Sequence, residues 1–568
     1  MFENIDGESN GSFRECSKRL LKFYHTFKIP ILFSLLQWLF TTLLQIDRFF
    51  ADYSLESSHY SRAFLIGVIV LIKIIYLLSL FLIWCNLYFL YKNYKTYKRE
   101  VSIFFTYAII SSILLFFLWP GTWSWDDLHV IKAVRQYKID AWQHILTSIF
   151  QILCLQYLPF PAGIILIQNL IISVCVAFIV SKLERNFCIY ISSRFWDLCL
   201  KLIPFLLPPV LMYQFSGYRM GLYVYLESVM LCVLLCSVKE KQDWSYIYLI
   251  FLSCLCAIVA TWRAESFLYI PLACIIVITA NNDTSRKVEF FRKKILAIFI
   301  IIFVFFTISF IQKFALRNSN YEIVSTIKPL VEVIRITDSK EDEQALSAIN
   351  KVLDLKFINA NPEKSALTLY WTGNAVRKNY SSRDYKEYIN AFFTLSMKYY
   401  KVVLAERLEV FLIAIGVHER IKHATNIYGT LNLFKKPPNR TENQQAVYDS
   451  FNSAWILNKP LFPNLRNKLI QVLGMQDDNG KETVFYHFVW NASIPILFLS
   501  FLWFTTLFQR KWIEFLILTT INLKTLLIFL TEPASWFMYF LSQYFLGYLC
   551  LIYFLLYFYT RHFLLRPV

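Results

Sequence analysis

Apolar residues in this chain run in long unbroken blocks that do not alternate with period two. A membrane-spanning helix needs roughly 20 apolar residues, and blocks near that size cover 29–46, 63–83, 101–118, 162–180, 202–215 and 221–238. Further blocks cover 246–260, 267–280, 295–311, 485–508, 512–530 and 536–559. The absence of alternation excludes an outer-membrane barrel, and the pattern predicts an all-α polytopic membrane protein of about 12 transmembrane helices. Residues 312–484 read differently, with polar signals such as NPEKS, KKPPNRTENQQ and DDNG. Within them, YKEYINAFFTLSMKYYKVVLAERLEVFLIAIG has helical periodicity, so this region is expected to be a mainly α domain. The predicted organisation is an N-terminal segment (1–28), a transmembrane bundle (29–311), the polar domain (312–484), C-terminal spans (485–559) and a short tail (560–568).

Composition sharpens this picture. Of 568 residues 57% are hydrophobic and 17% charged, with a mean hydropathy of +0.46, whereas soluble chains are about one quarter charged. The net charge of +18 would suggest nucleic acid in a soluble protein, but in a membrane protein it fits basic cytoplasmic loops, so no nucleic-acid partner is expected. With cytoplasmic termini, segments such as YKNYKTYKRE, SRKVEFFRKK and QRK fall inside; inner segments then carry roughly two dozen Lys and Arg against about seven in the short outer loops. The same orientation puts 312–484 outside, and makes 141–158, closed by PFP, an interfacial helix on the outer side. Nearly all of the twelve cysteines lie in or beside apolar blocks and none falls between Lys313 and Lys481, so they read as small membrane hydrophobes without a disulfide framework. No removable signal peptide is read at the polar N-terminus.

The richest chemistry lies in FFLWPGTWSWDDLHVIKAVRQYKIDAWQH, Phe116 to His144. A span ends at Pro120-Gly121, and Asp126 and Asp127 follow, with Trp123 and Trp125 before them and His129 and His144 after. One reading is an aromatic-belt loop with a helix-capping aspartate. The other is a carboxylate at the membrane surface, partly desolvated and able to act as a general base. A second cluster is Ser216-Gly217-Tyr218-Arg219, with Glu227 inside the next span, where a carboxylate is costly and points to function or to a buried ion pair, with Arg263 as a candidate partner. A third is Thr261-Trp262-Arg263-Ala264-Glu265. Its arginine offers a planar fork suited to a lipid phosphate, or pairs structurally with Glu265. P-loop, HExxH, CxxC and GxSxG patterns are absent, which disfavours an ATP-driven pump or a nucleotide-sugar enzyme.

On WPGTWSWDD, on Asp140 and His144 in IDAWQH, and on FPAGIILIQNLIIS, the chain resembles the bacterial integral-membrane C-type glycosyltransferases of the GT-C fold. It departs from their pattern at Ile145, where they place proline, and at Met538 in TEPASWFMYFLSQYF, where they place arginine. The resemblance implies a GT-C-like bundle in the bacterial cytoplasmic (inner) membrane, with its active site on the extracytoplasmic side. It further implies a polyprenyl-phosphate sugar donor, and a surface glycan, glycolipid or lipid-linked saccharide as acceptor. Asp126 or Asp127 would be the base and His144 would orient a substrate. Arg219 and Arg263 would hold the phosphate, with Glu265, Glu227, His129 and Trp125 as further binding residues. The Asp126-Asp127 pair allows a divalent ion, magnesium or manganese, and does not require one.

Two other readings remain open. An O-antigen polymerase or ligase would depend on Arg377, Arg383 or His418 in the large outer region. A transporter or flippase would show inverted repeats and broken helices at mid-membrane depth.

Overall fold

The computed structural model describes residues 27–43, 62–191, 193–239, 245–280, 287–316, 323–337, 340–361, 369–370, 375–377, 379–417, 459–477 and 483–564. Most of the predicted N-terminal segment, His418, and the KKPPNRTENQQ stretch lie outside them, as does the side chain of Trp125.

Each apolar block is helical. In chain order the elements are α1 (Phe27–Leu43), α2 (Arg62–Lys92), α3 (Lys98–Leu118), α4 (Trp125–Val134), α5 (Ile145–Tyr157) and α6 (Pro161–Phe187). Then come α7 (Arg194–Leu202), α8 (Pro208–Gln214), α9 (Arg219–Lys239), α10 (Tyr246–Trp262), α11 (Tyr269–Thr279) and α12 (Lys287–Ala315). The polar region supplies α13 (Val324–Ile334), α14 (Glu343–Val352), α15 (Ser382–Lys398), α16 (Tyr400–Ala414) and α17 (Pro463–Leu473). The chain closes with α18 (Ser493–Phe508), α19 (Trp512–Thr531) and α20 (Leu541–Tyr559). Among the described residues eight helices are long and apolar enough to cross a membrane, or nine if one bent pair counts as a span. The chain is therefore an all-α, multi-pass membrane protein with a largely α extramembrane region.

The count falls below twelve because some blocks are short or broken. α1 and α10 are shorter than a full span, as is the 264–279 helical segment that ends in α11. The block at 202–215 is not one straight helix: 195–206 and 208–214 meet at 67°. Pro204, Pro208 and Pro209 explain the break, since proline lacks the N–H a helix interior requires and restricts the residue before it. At 141–158 a short helix, α5, forms as expected.

The helices gather into two units. Among the described residues, one holds those up to Ile113, Asp126–Ser173 and Lys459; the other holds Leu114–Trp125 and the described residues from Val174 to Val417 and from Pro460 onward. In the first unit α5 packs on α2: Tyr157 shares a 2.5 Å hydroxyl contact with Ser79 and sets its ring edge-on to Tyr76 at 4.7 Å. α1 is tied to α2 through the indoles of Trp38, which donates to the Lys73 carbonyl, and Trp84, which donates to Gln37.

In the second unit α9 is buried along most of its length, whereas α12 keeps an apolar surface almost all round. An apolar helix that stays uncovered is stable only in lipid, so α12 is a lipid-facing span and α9 a central one. α18 meets α20 at Gly547, where an added Cβ would lie 2.4 Å from Pro495; glycine is required by this close approach. The extramembrane helices share a core of Ile323, Ile327, Leu330, Ile349, Val352 and Tyr388. α15 starts with a reciprocal capping box between Ser381 and Asp384. The described cysteines are all free thiols, in keeping with their reading as membrane hydrophobes.

Candidate functional site

The segment after α3 is held by its backbone. In the second unit the chain from Leu118 to Trp123 runs beside Met212–Gly217: Thr122 donates its N–H to the Phe215 carbonyl (2.8 Å) and its hydroxyl to that of Met212 (3.0 Å). Trp123 is buried and donates to the Pro120 carbonyl at 3.1 Å. A Cβ on Gly217 would stand 2.6 Å from the Trp123 ring, so the glycine is fixed by that indole. Arg466 of α17, 1% exposed, donates to the carbonyls of Leu118 (3.2 Å) and Gly121 (2.9 Å). This arginine clamps the proline–glycine turn, and burial lowers its basicity to a pKa of about 10.

In the first unit, Asp126 and Asp127 occupy the first turn of α4. The positive end of the helix dipole favours carboxylates there. Neighbouring residues on a helix point about 100° apart, so the two aspartates cannot face the same way: Asp127 is 2% exposed, while Asp126 is half-buried. His129 follows Asp126 by one turn on the same flank and is exposed. It lies within electrostatic reach of Asp140. Burial pushes the Asp140 carboxyl above its ordinary value, although the Trp142 N–H and the charge of His129 pull it back. His144, at φ 74°, caps α5: its Nδ1 accepts from the Leu146 N–H at 3.3 Å. The ring is thereby oriented with Nδ1 as acceptor. Among the described residues no three His, Cys, Asp or Glu side chains come together as a metal ion would need.

The second unit collects the other predicted residues. Arg219, Tyr223 and Glu227 are spaced by four along α9 and share one face. Arg263 ends α10 and pairs with Glu265, which sits in a 3-10 turn, Ala264–Leu268. The competing structural reading of this pair is thus realised, but it uses only Nε of the guanidinium. Nη1 donates to the thioether of Met220 (2.8 Å), a weak acceptor, and the Tyr539 ring lies 5.7 Å from the guanidinium carbon. Arg219 is close enough for the two positive charges to oppose each other.

Glu227 is fully buried, and its partner is Lys524 of α19, not Arg263. Lys524 Nζ donates to Glu227 Oε1 (2.5 Å), to the Tyr223 hydroxyl (3.0 Å) and to Ser542 Oγ (3.3 Å). Tyr269 donates to Oε1 at 2.5 Å, and Ser542 donates to Oε2. Tyr223 also shares a 2.5 Å contact with Ser266. With both its oxygens bonded by protein, Glu227 is a member of a side-chain network.

Sequence reasoning missed Lys524, although a lone lysine in TTINLKTLLIFL is the same signal that singled out Glu227. It also missed Arg407 and Glu406 of α16, a buried bidentate pair (2.5 and 2.8 Å). Arg407 donates further to the Glu532 carbonyl at 2.7 Å, while the Glu532 carboxylate, 2% exposed, has both oxygens without a hydrogen-bond partner. Arg377 and Arg383, the residues a polymerase or ligase would use, are engaged locally. Arg377 donates to the Asn350 carbonyl (2.6 Å), and Arg383 pairs with Glu387 (3.0 Å). No protein-family model, no curated protein and no solved structure matches this chain.

Proposed function

We propose that this protein is a membrane glycosyltransferase that moves a sugar from a polyprenyl-phosphate donor to a glycan or glycolipid acceptor on the extracytoplasmic face. The observation that carries the reading is the acidic pair at the head of α4, just past the proline–glycine end of a span. Its two aspartates differ in exposure, Asp127 buried and Asp126 half-buried. Asp126, the accessible one, takes the proton of the acceptor hydroxyl as its oxygen attacks C1 of the sugar; the bond from C1 to the phosphate oxygen breaks and polyprenyl phosphate leaves. A single displacement inverts the anomeric configuration. Phosphate is already a good leaving group, so the protein contributes position, a base and charge neutralisation. Arg263 and Arg219 supply the last, and Glu265 holds Arg263 by Nε. His144 orients a substrate.

The test is transfer of labelled sugar from polyprenyl phosphate in proteoliposomes. Asp126→Asn keeps the shape and removes the base, so turnover should fall by roughly 10² to 10⁴-fold with donor binding retained. Near-normal turnover in Asp126→Asn, Asp127→Asn and the double variant would overturn the mechanism.

A further inference from the structure

We propose that Lys524 is a positioning residue: with Glu227 and Tyr223 it holds the 3-10 turn 264–268 and thereby fixes the direction of the Arg263 fork. The inference rests on the reading of Arg263 as the phosphate contact.

The connection can be followed bond by bond. Lys524 fixes the Tyr223 hydroxyl (3.0 Å), and that hydroxyl meets Ser266 Oγ (2.5 Å) in the middle of the turn. One residue before Ser266 stands Glu265, which grips Arg263. One residue beyond the turn stands Tyr269, whose hydroxyl is bound to Glu227 (2.5 Å). The turn is thus pinned inside and just past its C-terminal end to one ion pair. The Lys524 ammonium also lies over the rings of Tyr223 (4.8 Å) and Tyr269 (5.4 Å), which fixes both phenols by face as well as by hydroxyl.

Stability alone does not account for such a network. A buried ion pair replaced by well-packed apolar residues is often neutral or stabilising, and in a bundle the apolar choice is the easy one. The network supplies direction, because six hydrogen-bonding side chains from α9, the turn, α11, α19 and α20 agree on one geometry only when all are present. The turn is short, with the Ser266 N–H donating to the Arg263 carbonyl (3.0 Å) and the Tyr269 N–H to the Ser266 carbonyl, and without the network it would let the arginine swing. A misplacement of even 1 Å at a phosphate contact is costly to transfer.

The experiment uses the full-length protein in lipid nanodiscs with the variants Lys524→Met, Lys524→Arg and Ser266→Ala. Hydrogen exchange over residues 263–269 is read beside donor KM and kcat. In folded Lys524→Met, exchange in this peptide should rise roughly tenfold while distant helices keep their protection. Donor KM should rise more than kcat falls, and Lys524→Arg should recover part of both. If Lys524→Met does not fold, Ser266→Ala makes the same comparison, since it cuts the link to the turn and leaves the ion pair whole. Unchanged exchange at 263–269 in a folded variant overturns the positioning role. Faster exchange with unchanged donor KM leaves the positioning standing and overturns the phosphate role of Arg263, so the two failures are distinguishable.

Discussion

The polar segment that begins α4 and the polar network around Glu227 are built in opposite ways. Asp126, Asp127, His129, Asp140 and His144 come from one short stretch of chain, and nearby backbone holds Asp140 and His144: the Trp142 N–H donates to Asp140 (3.0 Å) and the Leu146 N–H to His144 (3.3 Å). Glu227, Lys524, Tyr223, Tyr269, Ser266 and Ser542 come from widely separated parts of the chain and bond side chain to side chain, buried throughout. The local arrangement leaves an accessible carboxylate and an exposed imidazole, which is what proton transfer requires. The non-local one leaves its carboxylate with no oxygen to spare, which is what a fixed scaffold requires. A carboxylate inside a membrane protein is therefore not evidence of catalysis until its lone pairs have been counted.

The largest expected contrast sets activity against stability. Asp126→Asn should lose two to four orders of magnitude in turnover, the usual general-base range, and change stability by no more than about 0.5 kcal/mol, as partly exposed substitutions do. Lys524→Met should do the reverse in kind. It strands a buried carboxylate, which costs about 3–5 kcal/mol, and the loss should appear in thermal melts of the detergent-solubilised protein without any substrate. Glu227→Leu with Lys524→Met removes both charges and should regain most of that loss. If the double variant is as unstable as the single, the network stabilises the fold through more than its charge pairing.

A smaller effect is expected at Arg263, which belongs to the buried unit yet keeps part of its fork unused. Arg263→Ala should raise donor KM about ten- to a hundredfold, the size of one charged hydrogen bond of roughly 1.5–3 kcal/mol. Arg263→Lys should recover only part, because a point charge replaces a planar fork. Initial rates across donor concentration decide it. Unchanged donor kinetics in both variants would leave the pair with Glu265 a purely structural role.

What was legible in the sequence follows the same division. Spans, the polar helical region and the acidic segment were readable, because apolar runs and short-range spacing are written consecutively along the chain. The break at 207–208 was also within reach, since Pro208 and Pro209 stand there in plain view, yet a hydropathy reading treats proline as neutral filler. Glu227 was flagged with Arg263 as a candidate partner, whereas the lysine it binds, Lys524, lies 297 residues away. Arg466 was invisible for a different reason. Its function is to hold the carbonyls of Leu118 and Gly121, and no side-chain motif marks a contact made with backbone.

The smallest effect concerns Glu532, the buried acid that fits neither pattern, being neither accessible nor bonded through its carboxylate. Burial pushes its carboxyl well above the ordinary value of 4.5; Arg407 pulls it down and Glu406 pushes it further up, but Arg407 is already held in a bidentate pair with Glu406. A carboxyl raised on folding binds more protons in the folded state than in the unfolded one. The linkage slope is therefore negative, and stability falls as pH rises above about 4.5 and through the folded value. Glu532→Gln keeps the shape and removes the titration, so it should flatten that fall and raise the melting temperature at neutral pH relative to the wild type. Asp140→Asn should act in the same direction but more weakly, over a window beginning near 3.8, because Asp140 is only half-buried and accepts the Trp142 N–H in its charged form. Melting curves of the three proteins between pH 4 and pH 8 would check this. A Glu532→Gln protein that melts lower than wild type at neutral pH, with an unchanged slope, would mean that Glu532 is ionised and shares Arg407 with Glu406. The acid would then belong with the balanced network of Glu227 and would not be a separate proton-holding site.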